Sequence, residues 1–434
     1  MTPIMVGYIG IAILIILLFS GIHIGVAMGI IGFLGMAYLN GWDAGTGILK
    51  IVPYTTFANY DFSVIPLFIL MGEFCNYGKI SEDMYKTAYA WLGRLKGGLG
   101  MATIGACALF SAVSGSSVAE AAAMSKIALP EMKRYNYDKA TAAGALAAGG
   151  TLGVLIPPSI TLVIYGMITG TSIGALYTAG IIPGIMQTIL YMALLGLLCY
   201  RNPLLGPPGQ GSTVKEKLKA LQKTWIVILL FLLVIGGMQF GVFSPTEGAG
   251  IGAACAFFFA LARRSMGWAQ FKASILDTSM ISAMCFFLIL GAMMMNYFLA
   301  VTRLPYELSQ LIANLNLSKY IIWAFVVGLY LILGALMDEI AMLLLTVPIL
   351  YPVVVSLGFD PIWFGIMVTL ACEMGMICPP VGIVVFVING MEPEFSINTI
   401  YRGALPYVGI LLFQIAIMTA IPAIITWLPT VARI

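Results

Sequence analysis

Residues 130–160, PEMKRYNYDKATAAGALAAGGTLGVLIPPSI, and residues 352–382, PVVVSLGFDPIWFGIMVTLACEMGMICPPVG, lie on each other without a gap. Pro130, Asp138, Gly153 and Pro157-Pro158 fall on Pro352, Asp360, Gly375 and Pro379-Pro380, each 222 residues further on. Unusual residues recurring at one offset mark an internal repeat. The same shift carries Ser116 onto Asp338, Ser117 onto Glu339 and Ala119 onto Ala341. Upstream, LFILMGEFCNYG (67–78) resembles FLILGAMMMNYF (287–298), and downstream SIGALYTAGIIP (172–183) resembles SINTIYRGALP (396–406).

The chain that carries these copies has 434 residues, 61% hydrophobic and 9% charged, with a mean hydropathy of +1.02. Ordinary soluble domains carry about 25% charged residues, so this is an all-α polytopic membrane protein. A spanning helix needs roughly 20 apolar residues, and stretches such as MVGYIGIAILIILLF recur often enough for about ten to twelve segments, several short or broken. The N-terminal stretch has no basic n-region or small-residue cleavage site and reads as the first membrane helix. Residues 201–224, rich in Pro and Gly and then in Lys, read as a basic cytoplasmic linker between an N-terminal half (1–200) and a C-terminal half (225–434).

Charge sets the relative direction of the halves. Lys126, Lys133, Arg134 and Lys139 lie in 126–139, whereas the equivalent 348–361 holds no Lys or Arg. By the positive-inside rule the first loop is cytoplasmic and its twin outside, so the repeat is inverted. Inverted repeats with paired helix breaks belong to secondary transporters, with sites near the bilayer midplane.

Within SAVSGSSVAE (111–120), Gly115 permits a turn, Ser114, Ser116 and Ser117 offer hydroxyls to freed backbone groups, and a helix starting at Ser117 aims its N–H groups into the turn. Two readings fit: the tip of a re-entrant hairpin (114–117), or a close helix contact through small residues. The carboxylates at the matching tip (336–339) favour the first, because close packing does not call for them. Each double proline removes two donors, which frees carbonyls over 153–158 and 375–380 as hard oxygen ligands for a cation. Asp338 is a candidate cation ligand, since carboxylates inside a membrane are functional by default. Glu373 is a weaker candidate, and Glu339 is open between a functional role and a structural or interfacial one. Ser244-Pro245-Thr246-Glu247 has the form of a helix start. The stretches 81–98 and 263–278 read as interfacial amphipathic helices or as loops of helical character.

Several classes drop out. No basic run has the density for nucleic acid, no GxxxxGK[ST] motif supports ATP drive, and the seven cysteines and single His23 lack metal spacing. An intramembrane protease needs a second catalytic Asp or a His-bearing metal motif opposite Asp338. No Lys or Arg falls in an apolar core segment near the breaks, so helix ends, hydroxyls and bound cations are expected to hold an anion.

SGSSVAEAAA, GTLGVLIPPSI, SIGALYTAGIIPG, GVFSPTEGAG, MDEIAMLLLTVPILYPVVVSLGFDP and CPPVGIVVFV, in this order over nearly the whole chain, closely resemble the large membrane subunit of tripartite ATP-independent periplasmic (TRAP) transporters. The resemblance implies a Na+-coupled, elevator-type importer of small organic anions in the bacterial inner membrane, not an enzyme. It implies two partners, a separate small four-helix membrane subunit and a periplasmic substrate-binding protein. It also implies Na+ ligands among Ser111, Ser114, Gly115, Ser116, Gly153, Ile156 and Pro158 in the first copy, and Asp338, Gly375, Cys378 and Pro380 in the second. Substrate contacts are implied at Ser116, Ser117, Pro158, Ser159, Ser172, Asp338 and Pro380. Cys378 and Val384 stand where the family often has Thr and Asn, which removes a hydroxyl at 378. A stand-alone Na+/dicarboxylate symporter of similar architecture is the alternative.

Overall fold

The computed structural model describes residues 1–314, 317–334 and 336–432, and among these the secondary structure is helical throughout. Helices α1 (Pro3–Phe19), α2 (Ile24–Asn40), α3 (Trp42–Phe57), α4 (Val64–Tyr77) and α5 (Ile80–Leu92) lead into a helical hairpin, α6 (Gly98–Ser114) and α7 (Ser117–Arg134). Then come α8 (Lys139–Leu155), α9 (Ile160–Thr169) and α10 (Ile173–Arg201). The second half runs α11 (Val214–Phe231), a π turn, α12 (Gly237–Gln239), α13 (Pro245–Ala262), α14 (Trp268–Thr302) and α15 (Leu304–Asn314). It closes with α16 (Lys319–Gly334), α17 (Glu339–Ser356), α18 (Pro361–Ile377), α19 (Ile383–Met391), α20 (Ile397–Ala420) and α21 (Ala423–Ala432).

Caps written in the sequence set many of these starts. Ser116, Asp138, Ser159, Ser172, Asp338, Asp360 and Ser396 each accept a backbone N–H in the first turn of the helix they precede, satisfying donors a helix cannot use internally. Ser244 and Glu247 form a reciprocal capping box with Pro245 in the first turn, the helix start expected there. Helices α7 and α17, and likewise α8 and α18, begin and end 222 residues apart. The physical cause is a side-chain cap at the equivalent position before each helix, Ser116 or Asp338 and Asp138 or Asp360, and the same pair of prolines after α8 and α18.

Helices α8 and α18 form the centre: every residue from Ala142 to Leu155 and from Trp363 to Ile377 is buried. They touch each other and are surrounded by α6, α7, α10, α16, α17 and α20. A second group packs around α14, which lies along α2 and α4, with α13 also on α4. Large apolar side chains such as Ile16, Leu34, Ile189, Phe258 and Phe325 face outward, as expected where the surroundings are hydrocarbon. Among the described residues seven helical stretches are long and apolar enough to cross a membrane, counting α8 with α9 and α11 with α12 as one each, and six more apolar helices have 10–17 residues. The shorter ones include hairpin arms and the helix before a proline break.

Two expected boundaries move. The stretch 263–278 is not a separate interfacial helix, because from Trp268 it belongs to α14, 35 residues without a proline and about 52 Å long. The expected linker 201–224 is irregular only over 202–213, since Thr213 and Glu216 form a capping box that starts α11 and places Lys215, Lys217, Lys219 and Lys223 on a helix. The irregular part is docked: Gly97 N–H donates to Gly206 O at 2.8 Å and Gly209 N–H to Gly93 O at 2.8 Å. At the end of α7, Lys133 Nζ lies 2.5 Å from Glu394 of the α19–α20 turn, and this ammonium holds the exposed Glu394 carboxyl below the usual carboxylate range.

Candidate functional site

Each hairpin tip is built by one reversal of the chain. Helix α6 ends at Ser114, Gly115 takes a left-handed conformation (φ 61°), and Ser116 is extended, its Oγ accepting Ala119 N–H at 3.4 Å. Only glycine adopts that φ without strain. A side chain at Gly115 would also place its Cβ 2.6 Å from the Pro158 carbonyl oxygen, so the tip rests directly on the break after α8. In the second hairpin, Asp338 Oδ1 accepts Ala341 N–H at 2.6 Å. There the close approach is between Gly334 and Gly375, where either Cβ would meet the other backbone at 2.3–2.4 Å.

The tips meet. Ser117 Oγ donates to the Glu339 carboxylate, 3.1–3.2 Å from its two oxygens, across a separation of 222 residues. Equivalent positions in contact mean that the axis relating the two copies passes between them. Glu339 is therefore a tip-to-tip tether, and the Ser117 hydroxyl is already committed to it.

The breaks expose carbonyls unequally. Pro157 and Pro158 deprive Gly153 O and Val154 O of their helical donors, and Pro379 and Pro380 do the same to Gly375 O and Met376 O. Ser159 Oγ donates to Val154 O, and Cys378 N–H donates to Gly375 O at 3.3 Å. Gly153 O and Met376 O are left without those substitutes. Ile156 and Cys378 are extended and follow the last helical residues. Both proline pairs are cis.

A cavity of about 530 Å³ reaches from Gly115, Ser116, Asp338 and Glu339 past Met376 and Ile383 to the exposed Lys79 and Lys126. Its opposite wall is α4 and α14, with Glu73, Asn76 and Asp277, and Tyr77 donates to Asp277 at 2.7 Å. Five carboxylates (Glu73, Glu82, Asp277, Asp338, Glu339) and two lysines line it, a formal balance of −3. The two lysines stand at the exposed end of the cavity, outside the apolar core segments. Lys79 arrives on the α4–α5 turn and Lys126 on α7, elements whose approach is tertiary.

Of the expected site residues, Gly115, Ser116 and Asp338 line this cavity. Gly153, Ile156, Gly375 and Cys378 flank the breaks behind it, and Pro158 touches the first tip through its carbonyl. Ser111 is buried and donates to Glu120 at 2.8 Å and to Cys107 O at 2.9 Å. Ser114 Oγ is buried without a hydrogen-bond partner. The expected substrate contacts at Ser159 and Ser172 are not brought to the cavity. Ser159 is fully buried and capping α9, and the exposed Ser172 caps α10, beyond α9, about 15 Å from the break. Pro380 is exposed, its carbonyl accepting from Tyr401 OH at 2.7 Å. Sequence reasoning passed over Glu120 and the Gln187–Glu373 contact, in which Gln187 Nε2 donates at 2.5 Å. It also passed over Glu73 and Asp277; the available signal was a charged residue inside an otherwise apolar helix.

The chain has known relatives. The family model for the DctM component of the tripartite ATP-independent periplasmic transporter matches residues 11–424. A C4-dicarboxylate TRAP transporter large permease protein of Pseudomonas aeruginosa is 35% identical over 382 residues, covering 88% of this chain and 89% of that protein. A sialic acid TRAP transporter large permease protein of Vibrio cholerae is 30% identical, covering 86% of each. In fold, the chain is similar to the crystal structure of the YdaH transporter of Alcanivorax borkumensis, with a TM-score of 0.57, 18% identity, and 86% of this chain and 87% of that one covered. With a family model matched over nearly its full length and relatives of 30–35% identity, this chain belongs to the DctM component family of tripartite ATP-independent periplasmic transporters.

Proposed function

We propose that this chain is the large transmembrane subunit of a Na+-coupled importer that moves a small organic anion through the cavity beneath the two tips. The observation that carries the reading is the charge of that cavity: an anion entering walls of formal balance −3 is repelled unless cations enter with it. Hard oxygen donors for such cations stand at both tips and breaks: Ser116 with Gly153 O on one side, Asp338 with Met376 O on the other. The N-terminal N–H groups of α7 and α17 face the same space and favour the anion itself. Sodium bound beside the tips converts an acidic cavity into one that accepts a carboxylate, which is coupling in electrostatic terms.

The substrate class rests on the relatives, whose names specify a C4-dicarboxylate and sialic acid; both are organic acids. By the same reading the chain works in a bacterial inner membrane with a small membrane subunit and a periplasmic binding protein that delivers the ligand. The two hairpins are re-entrant, and their group of helices, around α8 and α18, slides as a body against the group around α4 and α14. The cavity reaches toward Lys126, on the side of the basic 126–139 loop, so this conformation is open to the cytoplasm.

The test is uptake by the three-component system in proteoliposomes, with Na+ outside or replaced by K+. Uptake is expected only with Na+, and Asp338→Ala should abolish it while leaving the protein monodisperse. Uptake in Na+-free buffer, or full uptake by Asp338→Ala, would overturn the reading.

A further inference from the structure

The first hairpin tip also presses against α4. Gly72 allows this, since a Cβ there would lie 2.9 Å from Ser114 O and 3.0 Å from Ser114 Cα. At the contact is a small cavity of about 10 Å³, whose polar lining is Glu73 and Asn76 from α4 and Ser114 and Ser116 from the tip. A volume near that size holds one water-sized occupant. Glu73 is only 8% exposed, and none of the ion pairs among the described residues includes it. Ser114 is 4% exposed, with its Oγ buried and lacking any hydrogen-bond partner. Asp277, lining the larger cavity with Glu73, adds negative charge to the same wall.

A carboxylate that is largely buried without a counter-charge is costly, as is an orphaned hydroxyl. Both costs are relieved by one occupant: a small monovalent cation ligated by the Glu73 carboxylate, the Asn76 side-chain oxygen and Ser114 Oγ. Hard oxygen ligands of low total charge select an alkali-metal ion over a soft or strongly polarising metal. We infer that α4 and the first hairpin tip jointly form a cation site, with Glu73 of α4 as its charged ligand, Asn76 of α4 beside it, and Ser114 as the ligand contributed by the tip.

Its ligands come from two groups of helices, which has a mechanical consequence. The ion is held only while the tip stands against α4, so its binding stabilises that conformation and its release frees the hairpin. The identity of the ion as Na+ rests on the coupling reading above; the existence of the site does not.

The test is binding of 22Na+ to the complete membrane complex in lipid nanodiscs, counted per complex. Glu73→Gln is expected to bind one Na+ fewer than the unmodified complex, and Ser114→Ala to raise the dissociation constant of that ion about tenfold. Asn76→Ala, which leaves both the tip and the carboxylate in place, should weaken the same ion if Glu73→Gln proves unstable. Unchanged stoichiometry and affinity in Glu73→Gln and Asn76→Ala, with Asp338→Ala losing Na+, overturns this site and leaves the transport reading standing. Loss of one ion in Glu73→Gln with none lost in Asp338→Ala supports this site and overturns the cation role of Asp338. A complex that binds no Na+ overturns both.

Discussion

At the scale of single residues, the tips depend on conformations and hydrogen bonds that few substitutions preserve. Gly115→Ala adds a methyl group at φ 61° and at 2.6 Å from Pro158 O. The strained backbone alone costs about 1–3 kcal/mol, so a lowered melting temperature in detergent and loss of uptake are expected. Ser117→Ala removes the hydroxyl that donates to Glu339 and is expected to cost about 1 kcal/mol, visible in the same melting curve. Ser117→Thr, which keeps the hydroxyl, should restore the tether; equal melting of Ser117→Ala and the unmodified protein would show that the tips are held together by other contacts. Ser116 and Asp338 were legible as polar positions in apolar surroundings, because a cap residue announces itself by its type. Ser117 was legible only as a hydroxyl. Its partner is 222 residues away, and nothing local in SGSSVAE records that the hydroxyl is occupied.

At the scale of elements, local chemistry predicts starts and stops well and orientation poorly. Asp138 and Asp360 cap α8 and α18, and the double prolines end them; both effects act within one turn, so they appear in the sequence itself. The interfacial helix expected at 263–278 failed for a related reason: amphipathic character over a short window did not reveal that no breaker follows until Thr302. The turn after α19 offers a titration. Lys133 lowers the folded value of Glu394 below that of the free carboxylate, so the ion pair stabilises the fold above the ordinary carboxylate range, about 4.3, and that contribution is lost as pH falls through the lower folded value. The difference in melting temperature between the unmodified protein and Glu394→Gln is therefore expected to be present at neutral pH and to vanish in acid. A difference independent of pH would assign the effect to packing.

At the scale of the molecule, the inversion proposed for the repeat makes a topological prediction. Arg134 and Ser356 end α7 and α17 at one repeat offset, and from the basic character of only the first loop they are expected on opposite sides of the membrane. In a Cys255→Ser background, which removes the one cysteine that is not buried, a membrane-impermeant thiol reagent should label Arg134→Cys from the cytoplasmic side and Ser356→Cys from outside. Labelling of both from one side would make the repeat parallel. The sequence by itself determined the membrane class, the 222-residue repeat, the caps and the breaks, because each follows from composition or from hydrogen bonds made within a turn. Only the tertiary structure decided that Ser117 meets Glu339, that Lys79, Lys126, Glu73 and Asp277 share one cavity, and that Ser159 and Ser172 lie outside it. Those juxtapositions depend on how helices distant in the chain pack, and a period of 3.6 residues carries no information about which neighbour a face will meet.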